Sequence, residues 1–311
     1  MKDLLKLLDC SGEEIVSILD LADQLKYEKK HHIPHRHLEG KSLGMIFEKL
    51  STRTRVSFEA GMYQLGGCAM FMSSRDLQVG RGEPIQDTAR ALSRYVDGLM
   101  VRTFHQSDLE ELAQCSEIPV INGLTDFAHP CQVLADLMTI RERFASLDGL
   151  KLGFIGDGFN MCNSLIVGGL KVGIEVSVAV PEGYEPHPDV LAFAEEQKAN
   201  GAKFELTHDV HAAAANADIL VTDAWTSMGH EDEAKQRRKD FAGFQINREL
   251  LADCHEGVMV QHCMPAYRGE EITADVLEAY AEDIFNETEN RLHAQKAVMV
   301  TLMSEAQNTL Y

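Results

Sequence analysis

The sequence predicts an α/β protein built from two doubly wound parallel-sheet domains that are joined by interdomain helices. The chain has 311 residues, which corresponds to two domains at ~150 residues each. Hydrophobic residues make up 45% and charged residues 25%, an ordinary balance for a globular protein. Short apolar runs alternate with longer segments of helical periodicity, and this alternation is typical of parallel sheets covered by helices.

The first predicted element is a helix, because Ser11 and Glu14 have the spacing of a capping box. Ile15, Leu19 and Ala22 then fall on one helical face. A polar segment with four histidines follows this helix. We interpret it as a solvated loop rather than a metal site, because no carboxylate or cysteine stands at useful spacing. The four histidines are His31, His32, His35 and His37.

The strands are predicted in two sets, one for each domain. The first set comprises 42–48, 68–72, 98–103 and 119–122, and the second 152–156, 175–180, 203–206, 218–222 and 257–262. A helix near 131–145 is expected to connect the two sets. The predicted domains are 1–131, with a C-terminal helix at about 291–311 packing back on it, and 132–290.

Composition excludes several classes of function. The net charge of -20 and the pI near 5.0 disfavour binding to nucleic acid or to an anionic membrane surface. No apolar stretch reaches ~18 residues, so no membrane helix is expected, and the N-terminus has no signal-peptide pattern. Seven cysteines without a C-x-x-C pair argue against a disulfide framework or a structural zinc site. We therefore expect a cytoplasmic enzyme.

An anion-binding motif follows the first predicted strand. In the segment KLSTRTRVSFEAG, Ser51, Thr52 and Thr54 are good N-cap residues, and a helix start presents free backbone N–H groups. Arg53 and Arg55 add guanidinium groups that suit phosphate oxygens. The segment lacks the Walker A pattern. A plain helix start with two solvated arginines is the alternative, and spacing alone favours a phosphate site only slightly.

Three further polar residues are expected at the same edge of the first sheet. Arg102 ends one predicted strand, and His129 and Gln132 follow the next. Ligands of open α/β sheets bind at the carboxyl ends of the strands. Arg102, His129 and Thr54 could then donate to one developing oxyanion. Only this convergence favours a functional role, because a single histidine or arginine is more often structural.

These motifs resemble the aspartate/ornithine carbamoyltransferase family. STRTR at 51–55 and HPCQ at 129–132 are similar to the family's carbamoyl phosphate motifs. The second half is similar to the ornithine-specific members. Its motifs, in order, are GDGFN at 156–160, DAWTSMG at 223–229, HCMP at 262–265 and ENRLHAQKAVM at 289–299. The resemblance therefore covers nearly the whole chain.

The resemblance implies which residues bind carbamoyl phosphate. The phosphate would be held by Ser51, Thr52, Arg53 and Thr54, and the carbamoyl group by Arg102, His129 and Gln132. Gln78 would reach the phosphate of a neighbouring subunit, with help from Arg81. Cys263, Met264 and Arg291 match further carbamoyl phosphate contacts. HCMP has methionine where the family commonly has leucine, a nearly volume-conserving change.

The resemblance also implies the second substrate and the reaction. Ornithine would be bound by Asn160, Asp223, Ser227 and Met228, and the catalytic residues would be Arg102, His129, Cys263 and Asp223. The reaction would transfer the carbamoyl group of carbamoyl phosphate to the δ-amine of L-ornithine, giving L-citrulline and phosphate, most simply in arginine biosynthesis. The implied assembly is a homotrimer with active sites near subunit interfaces. No cofactor and no metal are expected.

Several alternatives remain open at this point. Cys263 could be a covalent nucleophile or a positioning group for the δ-amine, and positioning is favoured because phosphate is already a good leaving group. Gly156 and Gly158 give half of a dinucleotide-binding pattern, but Met161 stands where the third glycine belongs. A non-catalytic amino-acid-binding protein would not need the phosphate-directed arginines. The acceptor could also be aspartate, putrescine or an acylated ornithine.

Overall fold

A computed structural model describes residues 1–74, 82–227 and 229–304. The chain divides into two compact units. Unit 1 comprises Met1–Leu134 and the chain from Arg291 on, and unit 2 comprises Ala135–Asn290. The division falls inside two helices, α5 (Pro130–Phe144) and α12 (Ala281–Met303). In the described ranges, no helix is long and apolar enough to cross a membrane.

Unit 1 contains a parallel sheet in the order β2-β1-β3-β4. The helix α1 begins with the predicted capping box, in which Ser11 and Glu14 exchange side-chain and backbone hydrogen bonds. The strands are β1 (Ser42–Phe47), β2 (Cys68–Ser73), β3 (Gly98–Arg102) and β4 (Val120–Leu124), and the helices are α1 (Gly12–Lys30), α2 (Thr52–Gln64), α3 (Ile85–Leu92) and α4 (Gln106–Cys115).

Unit 2 contains a parallel sheet in the order β7-β6-β5-β8-β9. Its strands are β5 (Lys151–Ile155), β6 (Glu175–Ala179), β7 (Phe204–Thr207), β8 (Ile219–Thr222) and β9 (Met259–His262). Its other helices are α6 (Asn160–Lys171), α7 (Pro188–Ala199), α8 (Val210–Ala214), α9 (Ala234–Asp240), α10 (Arg248–Leu251) and α11 (Ala274–Ala279).

The strand order of each sheet locates its binding edge. In both sheets the chain reverses its direction of winding, between β1 and β3 in unit 1 and between β5 and β8 in unit 2. Ligands of open α/β sheets bind outside the carboxyl ends of the strands at such a switch point. The strands β1, β3, β4, β5, β6, β8 and β9 are buried almost throughout, which explains their continuous apolar runs. The predicted fold class is confirmed.

One histidine of the polar segment after α1 is not solvated. His35 is only 9% exposed, and its Nδ1 lies 2.8 Å from the carbonyl oxygen of Ile33. Its Nε2 lies 3.2 Å from Nζ of Lys296, a fully buried lysine of α12. The interpretation of a solvated loop is therefore wrong for His35, because α12 covers it. His31 and His32 are exposed as expected.

A second buried histidine, His293 on α12, predicts sensitivity of unit 1 to acid. Burial, together with the charges of Lys296, Lys26 and Lys30, lowers the pKa of His293 to about 3. The unfolded chain would take up this proton near pH 6.5, whereas the folded chain would not. The free energy of unfolding is therefore expected to fall as the pH drops from 6.5 towards 3, by up to about 1.4 kcal/mol per pH unit.

Urea unfolding of the wild type and of His293→Gln at several pH values between 7.5 and 5 measures this effect. Other titrating groups contribute to both proteins, so the difference between the two slopes isolates His293. We expect a flatter dependence for the variant. Two parallel pH dependences would contradict the assignment.

Candidate active site

In unit 1, the turn between β1 and α2 forms an anion-binding helix start. Ser51 is the N-cap of α2, and its Oγ accepts a hydrogen bond of 3.3 Å from the backbone N–H of Thr54. No acidic residue lies in the first turn of this helix. The first turn thus combines free N–H groups, the positive end of the helix dipole and the side chains of Thr52 and Arg53.

Two buried guanidinium groups converge on the Thr54 hydroxyl. Nη1 of Arg102 lies 3.4 Å from Thr54 Oγ1 and also donates to the carbonyl oxygen of Gly123 at 3.3 Å. Nη2 of Arg291, on α12, lies 3.3 Å from the same oxygen. Arg102 is 3% exposed and Arg291 4%. A concentration of buried positive charge at the carboxyl ends of β1 and β3 provides strong attraction for an anion.

Arg291 is in turn held by two amide side chains. Its Nη1 donates to Oε1 of Gln132 at 2.5 Å. With its amide oriented to donate to Ser57 Oγ, Gln295 accepts from Nη2 of Arg291 at 2.9 Å and from Nε at 3.2 Å. The sequence reasoning missed Gln295. Its position four residues after Arg291 on one helix was the signal that could have identified it.

His129 lies among these cations as a neutral imidazole. It is 5% exposed and directly precedes α5. Burial, with the charges of Arg291, Arg102 and Arg53, holds the pKa of His129 well below its usual range. A neutral ring can donate one hydrogen bond to a carbonyl oxygen without adding further charge.

Arg55 stands apart from this cluster. Arg55 points elsewhere: its Nε pairs with Glu59 at 2.9 Å, and its guanidinium stacks 3.9 Å from the ring centre of Phe71. The suggestion that Arg55 joins the phosphate site is therefore not supported. Gln78 and Arg81 lie outside the described residues.

In unit 2, a carboxylate and a thiol meet at the carboxyl ends of β8 and β9. Sγ of Cys263 donates to Oδ1 of Asp223 at 3.0 Å, and the same oxygen accepts from Ala224 N at 2.7 Å. Burial raises the pKa of the Cys263 thiol well above its usual range, and the charges of Asp223, Glu287 and Asp136 act in the same direction. Cys263 is thus a protonated thiol and a poor nucleophile.

The remaining predicted residues of unit 2 follow β5 and β8. Asn160 is the first residue of α6 and is 4% exposed. Ser227 lies in the loop after β8, and among the described residues its buried Oγ has no hydrogen-bond partner. Met228 lies outside the described residues. Met264 is partly buried in the turn after β9 and has a positive φ of 58°.

The glycines after β5 do not form a dinucleotide cradle. A Cβ at Gly158 would lie 2.2 Å from the carbonyl oxygen of Tyr184 and 2.5 Å from Pro186 N. Gly158 N also donates to that carbonyl at 3.0 Å. Residues 184–186 of the chain therefore fill the space beside Gly158 that a bound pyrophosphate would need. This packing argues against the dinucleotide-binding alternative.

A buried ion pair links the loops after β5 and β8. Nη1 of Arg237 donates to Oδ2 of Asp157 at 2.6 Å and to the carbonyl oxygen of Trp225 at 3.0 Å. Each charged side chain is 6% exposed. Burial raises the pKa of Asp157 to about 6, against the opposing charge of Arg237, so the carboxylate is ionised at pH 7. The pair fixes two loops that carry candidate ornithine contacts.

Removal of this carboxylate is expected to destabilise unit 2. Asp157→Ala leaves Arg237 as a buried cation whose remaining carboxylate partner, Glu233, is largely exposed. Loss of one partner of a buried pair costs about 3–5 kcal/mol. The free energy of unfolding in urea measures this cost, and Asp157→Leu combined with Arg237→Met should recover much of it. A loss below ~1 kcal/mol for Asp157→Ala would show that the pair is dispensable.

The described residues offer one group that could hold a metal ion, but its donors are already engaged. Ligand atoms of Asp223, His262 and Cys263 lie within 4.8 Å of one another. Nδ1 of His262 accepts from Met264 N at 2.9 Å, and Nε2 lies 3.0 Å from Glu271. Both ring nitrogens of His262 are thus used by the protein, which suits a hydrogen-bonded network better than a metal centre.

Comparison with known proteins gives a consistent picture. Residues 2–142 match the aspartate/ornithine carbamoyltransferase carbamoyl-P binding domain, and residues 148–302 match the Asp/Orn binding domain of the same family. An ornithine carbamoyltransferase of Thermococcus kodakarensis is 52% identical over 303 residues, covering 97% of this chain and 96% of the relative.

Solved structures show the same relationship. The ornithine carbamoyltransferase of Pyrococcus furiosus has a TM-score of 0.93 at 50% identity and covers 97% of both chains. The anabolic ornithine carbamoyltransferase of Campylobacter jejuni has a TM-score of 0.92 at 42% identity, covering 97% of this chain and 99% of that one. The fold is thus shared with ornithine carbamoyltransferases of known structure.

Proposed function

The chain belongs to the aspartate/ornithine carbamoyltransferase family, and we propose that it transfers the carbamoyl group of carbamoyl phosphate to the δ-amine of L-ornithine. The products are L-citrulline and phosphate. The convergence of Arg102 and Arg291 on Thr54 Oγ1, at the start of α2, is the observation that carries this proposal. The positive charge of this site complements the negative charge of carbamoyl phosphate.

In this proposal unit 1 binds carbamoyl phosphate. The N–H groups of the first turn of α2, with Ser51, Thr52 and Arg53, hold the phosphate and stabilise it as it leaves. Arg102, Thr54 and His129 donate to the carbonyl oxygen, which becomes negative as the amine attacks. Gln132 and Arg291 complete the carbamoyl pocket. Because His129 is neutral, it can donate a hydrogen bond to the carbonyl oxygen without competing with the arginines for the phosphate.

Unit 2 binds the amino acid. Asp223 pairs with the α-amino group, while Asn160, Ser227 and Met228 orient the amino-acid end. The δ-amine resembles that of lysine, whose pKa is near ~10.4, so its neutral form at pH 7 costs about 4 kcal/mol. The site must lower this cost by desolvation of the amine. Cys263 and the backbone of Met264 then position the neutral amine.

We assign Cys263 a positioning role rather than a covalent one. The hydrogen bond to Asp223 and the raised pKa of the Cys263 thiol favour this choice. Cys263→Ala is therefore expected to lower kcat about tenfold, not to abolish turnover, since direct attack on carbamoyl phosphate remains possible. Steady-state kinetics measures the loss. Detection of a carbamoylated Cys263 by mass spectrometry of the wild type during turnover would contradict this role.

The proposal includes assembly, location and direction of flux. We propose a homotrimer with active sites near subunit interfaces, supported by exposed apolar side chains on α2 and the edge strand β2, among them Tyr63 and Met70. Light scattering should give three times 34.6 kDa. A cytoplasmic location is supported by seven free cysteines, all within the described residues. A biosynthetic role is supported by relatives whose names include "anabolic".

The direct test is the stoichiometry of the products. Purified protein with carbamoyl phosphate and L-ornithine should form citrulline and inorganic phosphate in equal amounts. Release of phosphate without citrulline would indicate hydrolysis and contradict the proposal. Each product is measured in the same reaction, with the Arg102→Met variant as the inactive control.

A further inference from the structure

The turn that carries Cys263 and Met264 is closed by a buried histidine–glutamate pair. His262 and Glu271 are both 0% exposed, and His262 Nε2 lies 3.0 Å from Glu271 Oε1. Nδ1 of the same ring accepts a hydrogen bond from Met264 N at 2.9 Å. Because Nδ1 is an acceptor, the hydrogen of the neutral ring is on Nε2 and donates to Glu271. The two contacts together select one tautomer and one ring orientation.

Glu271 is itself fixed at both its side chain and its backbone. Oε1 accepts a second hydrogen bond, from Tyr267 N at 2.5 Å. The backbone oxygen accepts from Ile246 N at 2.8 Å, and Ile246 belongs to the apolar core of unit 2. Among the described residues, Oε2 has no hydrogen-bond partner. Oε1 of Glu271 thus ties His262, at the start of the turn, to Tyr267 on its far side, and the backbone oxygen of Glu271 joins the turn to the core through Ile246.

This arrangement constrains the backbone on both sides of Cys263. Met264 has a φ of 58°, a left-handed conformation that a non-glycine residue adopts only when its surroundings hold it there. The bond from Met264 N to the His262 ring closes the chain around Cys263, whose Sγ contacts Asp223. A second carboxylate holds the backbone of His262, because Glu287 Oε2 accepts a hydrogen bond from His262 N at 2.9 Å.

We propose that Glu271, acting through His262, is a positioning residue for carbamoyl transfer. It holds the Met264 peptide and the Cys263 thiol in the orientation that places the acceptor amine for attack. This inference rests on the proposed function, because it concerns the same reaction. It adds a residue that no sequence motif indicated, and it explains why an ionisable pair is retained in a fully buried position.

A purely structural pair would behave differently from a positioning pair. Loss of a structural contact lowers the melting temperature and the yield of folded protein, but the folded enzyme turns over normally. Loss of positioning lowers kcat of the folded enzyme, because a displacement of ~1 Å at a reacting group can cost about 10²-fold in rate. The KM for carbamoyl phosphate should change no more than about threefold, because Ser51, Thr52 and Arg53 of unit 1 hold its phosphate, and Cys263 and Met264 match only further contacts to this substrate.

The test uses three variants and one matched control, each purified as folded protein by gel filtration. Glu271→Ala removes the acceptor, and we expect kcat to fall about 10²-fold with the KM for carbamoyl phosphate within threefold of wild type. Glu271→Gln keeps an acceptor oxygen and should restore kcat to within about threefold. Glu278→Gln, a change at a 67% exposed carboxylate paired with Arg268, should match the wild type.

His262→Asn separates the two bonds of the ring. The asparagine Oδ1 can replace Nδ1 as acceptor for Met264 N, while the contact to Glu271 is lost, so we expect about a tenfold loss of kcat. A wild-type kcat in Glu271→Ala or in His262→Asn would overturn the inference. If Glu271→Ala does not fold, the kcat of His262→Asn alone tests the inference. A wild type that forms no citrulline would instead refute the proposed function.

Discussion

Replacement of Arg102 by methionine is expected to lower kcat about 10²–10³-fold, the effect of removing one donor from an oxyanion site. Arg102 is 3% exposed, and its guanidinium contacts Thr54 Oγ1 and the Gly123 carbonyl oxygen. In the proposed reaction it faces the oxygen that gains negative charge as the amine attacks. The loss should therefore fall mainly on kcat. Initial rates over both substrate concentrations measure it.

The expected loss is not a consequence of unfolding. Arg102 lies close to Arg291 through their shared partner Thr54, so removal of one cation relieves repulsion inside unit 1. The melting temperature of Arg102→Met should stay near that of the wild type. Arg94→Met is the matched control, because it removes a charge from an exposed pair with Glu117 in the same unit. A kcat of Arg102→Met within tenfold of wild type would contradict the oxyanion role.

Asp223→Asn is expected to lower kcat/KM for ornithine about 10²–10³-fold. Truncation of one partner of a buried charge pair costs about 2–5 kcal/mol, and asparagine provides no charge for the α-ammonium group. The isosteric amide oxygen can still accept from Ala224 N, so the loop after β8 should keep its conformation. Binding of carbamoyl phosphate, which depends on unit 1, should be nearly unchanged.

A matched control makes this prediction specific. Asp189→Asn neutralises a carboxylate whose side chain is 76% exposed, and it should leave both kinetic constants within twofold of wild type. An equal rise in the KM of both substrates, or no change for ornithine, would show that Asp223 does not bind the amino acid.

Much of the fold followed from local patterns. The nine predicted strands are all present within the described residues, with bounds that differ by at most two residues at either end. These strands can be recognised from the sequence alone, because parallel strands that are buried on both faces have continuous apolar runs. The capping box at Ser11 and the N-cap at Ser51 depend on spacing within a few residues, so the sequence alone also predicts them.

Other features depend on distant contacts and could not be read from spacing. The burial of His35 requires Lys296, which lies 261 residues further along the chain. The pair of Asp157 and Arg237 joins the loop after β5 to helix α9, 80 residues further along the chain. Arg55 is a different case: it pairs with Glu59, four residues later on the same helix, a spacing at which helical ion pairs commonly form and which the sequence reasoning overlooked.

The candidate site was predicted in part for a physical reason. Residues that follow the parallel strands of one sheet share its edge, and Arg102 and His129 could be located on that basis, whereas Asp223 was assigned by the family resemblance. Gln295 and Glu271 were missed because each acts by holding another side chain in place, and neither belongs to a motif that contacts a ligand. Their contacts to Arg291 and His262 are visible only in three dimensions.

The most direct test of the central claim is the choice of acceptor. With carbamoyl phosphate saturating, carbamoylation is measured with L-ornithine, N-acetyl-L-ornithine, putrescine and L-aspartate. A site with Asp223 placed for a free α-ammonium group predicts that L-ornithine exceeds each of the others in kcat/KM by about 10²-fold or more. Turnover of putrescine, aspartate or the acylated ornithine at a rate equal to that of L-ornithine would contradict the account.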